Sequence, residues 1–136
     1  MGKPQASIEQ MRVYIRKMNP KVSDSVIKMI PLYITEGAAE GVRGDIAFAQ
    51  SCLETGNFTF SGSAVTLAQN NFCGMGVTGT GVKGNGFKTP AEGIRAQIQH
   101  LQAYASMDRL KNRCVDPRYT YVNRGCAPYV GWLGIQ

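Results

Sequence analysis

No stretch of this sequence has the eighteen or more consecutive apolar residues that a membrane-spanning helix needs, so insertion into a membrane by such a span is not expected. Histidine occurs once, as His100. Any Ser-His-Asp or Cys-His mechanism, and most metal sites, must therefore pass through that residue. Set in a helical stretch beside Gln99 and Leu101, it reads first as a structural hydrogen-bonding histidine. Cys52, Cys73, Cys114 and Cys126 contain no CxxC pair, which argues against a zinc cage. No metal and no cofactor are expected. The glycines of residues 74–86 are not followed by Lys-Ser or Lys-Thr in the spacing of a phosphate-binding loop. The N-terminus, "MGKPQASIEQMRVYIRK", lacks the apolar centre of a signal peptide, so export by another route or a leader outside this sequence is expected. The rarest absence concerns acid: no Asp or Glu stands between Glu54 and Glu92.

What is present suits one compact domain. The 136 residues are 43% hydrophobic, enough for a real core, and neither a repeat nor a low-complexity linker divides them. Residues 1–136 are expected to form a single domain. Fifteen Lys and Arg against nine Asp and Glu give a net charge of +6 and favour polyanionic partners. Charge alone does not choose among nucleic acid, anionic lipid and wall polymers. The cations are scattered, with no basic stripe, and most read as a solvated face. The four cysteines permit three pairings if all are oxidised. Cys114 and Cys126 flank "DPRYTYVNRG" and could staple it; four free thiols are an equally good reading.

The helical signals are local and strong. Ser7 and Gln10 occupy capping-box positions ahead of a helix to Met18, which Asn19-Pro20 ends. "SVIKMIPLYITEGAAEG" is a second helical stretch, which Pro31 should kink unless it lies in a first turn. "GDIAFAQSCLETG" is a third, opened by Asp45 and stopped by Gly56. "TPAEGIRAQIQHLQAYASM" begins with Thr89, Pro90 and Glu92 as N-cap, N1 and N3. Between these, residues 57–88 hold the short strand-like pieces "FTF" and "AVTL". Six of the sixteen glycines fall from Gly74 to Gly86, a density that suggests a small β-hairpin region with mobile tips. "DPRYTYVNRG" and "APYVGWLGIQ" should each give a further short helix. The fold class is mainly α, with a small β insertion.

Glu54 stands out. The third helix is apolar on most sides, with Ile46, Ala49 and Leu53 on one face and Phe48 and Cys52 on another, so it should be central and buried. Gln50 and Glu54, four apart, form its polar stripe. That stripe should face a cleft or a hydrogen-bonded partner, because a lone carboxylate in a core is costly. A helix C-terminus and apolar neighbours both disfavour the ionised form, the condition a general acid in glycoside hydrolysis requires. The competing reading is a structural glutamate paired with Arg43 or Arg95. Glu92 is explained by its capping position and Asp45 by the helix start.

The stretches "EGAAEGVRGDIAFAQSCLETGNF", "QNNFCGMGVTGTG", "GIRAQIQHLQAYA" and "DPRYTYVNRGCAPYV" occur in the order found in the glucosaminidase family of bacterial peptidoglycan hydrolases, glycoside hydrolase family 73, which the chain resembles. The resemblance implies a lysozyme-like, goose-type fold with a β-hairpin beside the cleft. It also implies endo-β-N-acetylglucosaminidase activity on peptidoglycan glycan strands. It makes Glu54 the general acid and places Tyr119 near it, to position water or stabilise oxocarbenium-like charge. Gln69, Asn70 and Asn71 would bond sugar substituents, Phe72 and also Tyr104 or Tyr129 would stack on sugar faces, and Gln50 would contact substrate. Some members carry a second catalytic glutamate on the hairpin, and this chain has none there; participation by the substrate's own N-acetyl group is an alternative to the tyrosine. Leu53 stands where many relatives have histidine. The family usually continues with a Trp-Ala-containing tail, so a trimmed C-terminus is expected. A monomer acting outside the cell or in the wall is expected, held by anionic wall polymers, with no nucleic-acid partner. Its origin as phage lysin, autolysin or effector stays open. The alternatives are a lytic transglycosylase, a Cys-His amidase using Cys52 or Cys73 with His100, and a non-catalytic wall-binding module.

Overall fold

The computed structural model describes residues 1–63, 65–78 and 82–133. Among them are four α-helices: α1 (Ile8–Met18), α2 (Asp24–Glu40), α3 (Gly44–Thr55) and α4 (Pro90–Ala105). The mainly helical expectation holds. Ser7 caps α1 through the reciprocal box with Gln10. The Thr89 hydroxyl accepts from the Glu92 amide at 3.1 Å, with Pro90 in the first turn of α4. α2 runs unbroken through Pro31, although proline removes one backbone donor. Its inner face of Val26, Met29, Ile30 and Tyr33 is buried, and that packing outweighs the lost bond.

α2 packs against α1, α3 and α4. Its approach to α3 is close enough that a Cβ on Gly44 would collide with the Tyr33 carbonyl. Glu36 and Arg95 tie α2 to α4 through two parallel bonds of 3.0 Å. Beneath α3 runs an aromatic chain: Tyr33 edge-on to Phe48 at 5.6 Å, Phe48 on Phe58 at 6.0 Å, and Phe58 on Phe72 at 6.0 Å.

Residues 57–88 differ from expectation. Among the described residues they form no strand, only turns, bends and a 3₁₀ turn at Leu67–Gln69. Carbonyls that a partner strand would use are taken by side-chain amides. Gln69 donates to Gly84 O at 3.0 Å, Asn70 to Phe87 O at 3.0 Å, and Asn71 to Met75 O at 2.8 Å and Asn85 O at 2.9 Å. Gly79–Gly81, at the expected hairpin tip, Ala64 of "AVTL" and the last three positions of "APYVGWLGIQ" lie outside the described residues. The two expected late helices are single 3₁₀ turns, Tyr119–Tyr121 and Val130–Trp132. All four cysteines are free, with Cys52 buried and Cys114 exposed, so no staple joins Cys114 to Cys126.

Candidate active site

α3 ends on Gly56, whose left-handed φ of 60° lets its N–H reach back to Cys52 O. The next residues keep this unusual backbone: Asn57, Phe58 and Phe60 all have positive φ. Such conformations are costly for side-chain-bearing residues and persist where neighbours enforce them. Here Asn57 N bonds Cys52 O at 2.7 Å and Phe58 N bonds Thr55 Oγ1 at 2.9 Å. From α1 and its cap, Asn19 donates to Asn57 O at 2.9 Å and Tyr14 to Asn57 Oδ1 at 3.4 Å. At the other end of α3, the Asp45 carboxylate accepts from Gln5 N, Ala6 N and the Arg43 guanidinium. Burial alone would raise the Asp45 pKa, but these donors outweigh it and bring the group down to about 2.

Glu54, held at the end of this braced helix, is exposed and makes no hydrogen bond or ion pair among the described residues. The apolar enclosure expected from its neighbours is absent. Phe48 and Cys52 turn to the core, whereas Ala49 is exposed and Leu53 is 81% exposed. The structural pairing is absent as well, because Arg43 binds Asp45 and Arg95 binds Glu36. A cleft of about 350 Å³ lies beside Glu54, walled by Gln50, Gly74, His100, Tyr104 and Arg118 among others. A Cβ built on Gly74 would stand 3.6 Å from Glu54 Oε2, so this wall comes directly against the carboxylate. On the Leu53 side, a larger apolar groove of about 710 Å³ runs between α1 and α3. His100, Arg118, Tyr104 and Cys73 line the smaller cleft.

Several residues proposed to bind substrate have other work. Asn71 is 1% exposed, and its Oδ1 accepts from Met75 N at 3.0 Å while its amide serves the two carbonyls named above. Phe72 is also 1% exposed, packed on Phe58, and offers no face to a sugar. Gln69 and Asn70 are committed to closing the same loop. Gln50 does line the cleft, where its Oε1 accepts from Gln97 Nε2 at 2.9 Å. Tyr104 lines it too, while Tyr129 is exposed and packs on Trp132 at 5.2 Å. Tyr119 is brought elsewhere: its hydroxyl donates to Gln102 at 2.9 Å and Arg124 lies over its ring at 4.7 Å. Its motif neighbour Asp116 reaches the cleft instead, by bonding His100 Nδ1 at 2.8 Å. The single histidine and the "DPRY" motif were the available signals for this pair.

A family model described as "Glucosaminidase: Mannosyl-glycoprotein endo-beta-N-acetylglucosaminidase" matches residues 30–133. The chain belongs to the glucosaminidase family. Glu54, the Gly74 wall, His100 and Asp116 all lie within the matched residues, whereas α1 precedes them. The family description names a glycoside hydrolase acting on N-acetylglucosamine-containing glycan. A relative from Borreliella burgdorferi (strain ATCC 35210 / DSM 4680 / CIP 102532 / B31), described as an uncharacterized protein, is 43% identical over 130 residues. The match covers 95% of this chain and 62% of the relative, so the chain spans less than two thirds of that protein's length. No solved structure matches the chain at a significant level. Among the described residues of this glucosaminidase-family chain, no helix is long and apolar enough to cross a membrane.

Proposed function

We propose that the protein is an endo-β-N-acetylglucosaminidase that hydrolyses the glycan strands of bacterial peptidoglycan, with Glu54 as general acid. The observation that carries this is the state of Glu54: an exposed carboxylate, unpaired among the described residues, at the end of a braced helix and against the wall of a cleft. An acid with no partner among the described residues is available to a glycosidic oxygen, to which it delivers its proton as the bond to the anomeric carbon breaks. The helical order and the matched family support a lysozyme-like arrangement of the goose type. Gln50, on the same stripe one turn earlier, contacts substituents of the bound sugar. Tyr119, through Gln102, fastens the segment carrying Asp116 and Arg118 to α4 rather than meeting substrate. The +6 charge holds the enzyme, working as a monomer outside the cell or in the wall, near anionic wall polymers, an attraction that weakens with salt.

The Cys-His alternative is disfavoured by the thiols. Burial pushes Cys73 up to about 12, and the charges of Asp116 and Glu54 push the same way; burial also raises Cys52 to about 12. A nucleophilic cysteine needs the opposite shift. Mass spectrometry of muropeptides after digestion tests the whole reading. Reducing N-acetylglucosamine ends support it; anhydro-sugar ends indicate a transglycosylase, and new amines an amidase. Glu54→Gln keeps the side chain's shape and removes its proton, so wild-type clearance of purified walls by that variant rejects Glu54 as the acid.

A further inference from the structure

Glu54 supplies a proton but does nothing for the attacking water. No acid stands between Glu54 and Glu92, so the segment facing it offers no carboxylate base. Among the described cleft-lining residues, Arg118 is cationic, Cys73 is held protonated, and Tyr104 presents a phenol, a proton donor. His100 is the remaining group there with a basic lone pair near neutrality.

Its surroundings fix which nitrogen carries that lone pair. The Asp116 side chain has no exposure, and its Oδ2 meets His100 Nδ1 at 2.8 Å. The other oxygen, Oδ1, accepts from Arg118 N at 2.8 Å. With Asp116 ionised the carboxylate only accepts, so in the neutral ring the proton lies on Nδ1 and Nε2 is left bare. The ring stands edge-on to Tyr104, at 5.4 Å and 81°. The side chain keeps 24% exposure and lines the cleft, while Nδ1 is engaged by Asp116.

A purely structural role is already filled by the neighbouring residue. Gln99, fully buried, donates to Arg113 O at 2.9 Å and accepts from Val115 N at 2.8 Å and Asp116 N at 3.3 Å, anchoring the segment to α4. His100 lines the same cleft as Gly74, whose Cβ position lies 3.6 Å from Glu54 Oε2, so base and acid border one space.

We propose that His100, oriented by Asp116, is the base that activates water in this cleft, an inference that rests on Glu54 being the acid. The water oxygen bonds the anomeric carbon, and its proton passes to His100 Nε2. The bond from that carbon to the glycosidic oxygen breaks, and the Glu54 proton goes to that oxygen. A reducing sugar and a chain end bearing a free hydroxyl leave. The imidazolium, steadied by Asp116, and the Glu54 carboxylate then return to their starting states by proton exchange with solvent. A single displacement of this kind inverts the anomeric configuration.

The experiment uses the whole chain with a soluble peptidoglycan glycan oligomer. Wild-type enzyme, followed by NMR, should release the α anomer first from the β-linked strand. His100→Gln should lower kcat about 100-fold with little change in KM and an unchanged melting temperature. Azide should restore turnover to His100→Ala, giving the α-glycosyl azide. First release of the β anomer, or a His100→Gln kcat within twofold of wild type, overturns the role of His100; the Glu54 reading then survives if Glu54→Gln is inactive in the same assay. Full activity in Glu54→Gln overturns both. The anomer measurement needs no variant, so a misfolded substitution leaves the test intact.

Discussion

The position of a Cβ on Gly74 lies 3.6 Å from Oε2 of Glu54. Gly74 also has a φ of +68°, a region where a side chain strains the backbone. Gly74→Ala should therefore cost about 1 kcal/mol of stability and place a methyl group where substrate approaches the acid. We expect glycan cleavage to fall about tenfold or more, because small misplacements at a reacting group are costly. Turnover assays alongside thermal melts check this; a full rate with lowered stability would show that the wall is not part of the working cleft.

Asn71 should behave as a keystone of the loop and not as a sugar ligand. Asn71→Ala strands Met75 N, Met75 O and Asn85 O without their side-chain partner in a buried place. The expected cost is ~3 kcal/mol, a fall in Tm of roughly 10 °C. KM measured well below that melting point should stay near wild type. A raised KM at unchanged Tm would return Asn71 to the substrate.

Asp45 carries a pH signature. Its pKa is lowered from 3.8 to about 2, so its ion pair and amide bonds stabilise the fold fully above about pH 4 and lose that effect as pH falls towards 2. Arg43 keeps some exposure to solvent, which holds the contribution on the order of 1–2 kcal/mol. Denaturant titrations should show Asp45→Asn less stable than wild type by that amount at pH 7, with the difference shrinking below about pH 4 and vanishing only below about pH 2.

Tyr119→Phe removes one hydrogen bond to Gln102 and keeps the ring under Arg124. We expect a loss of about 1 kcal/mol and less than a tenfold fall in kcat. A 100-fold fall with unchanged stability would mean that the hydroxyl leaves Gln102 and takes part in chemistry.

The legible parts of the fold were those specified within a few residues. Ser7 with Gln10, Thr89 with Pro90, and Gly56 after Thr55 are caps whose chemistry is complete within one turn, and each helix end falls there. Glu54 was legible for the same reason, since the Gly56 stop fixes where α3 ends. Its exposure was not, because whether Ala49 and Leu53 face core or groove depends on where α1 packs. The roles of Gln69, Asn70 and Asn71 were hidden because their partners lie 14–17 residues away along the chain, at Gly84, Asn85 and Phe87. The pairing of His100 with Asp116 spans 16 residues and leaves no periodic trace. Pro31 is a different case: α2 continues through it to Glu40, carried by its buried face.

The brace around α3 has a thermal consequence. α1 contributes Met11 and Ile15 to the core, yet its flanking residues hold both ends of the helix that bears Glu54, through Asp45 and Asn57. An element with little buried surface opens more readily than the core it rests on. When α1 lifts away, the left-handed run after Gly56 loses its clamp while α2 and α4 remain packed. The enzyme should thus go silent on warming before it melts, with its inactivation temperature set by the first helix and its melting temperature by the core.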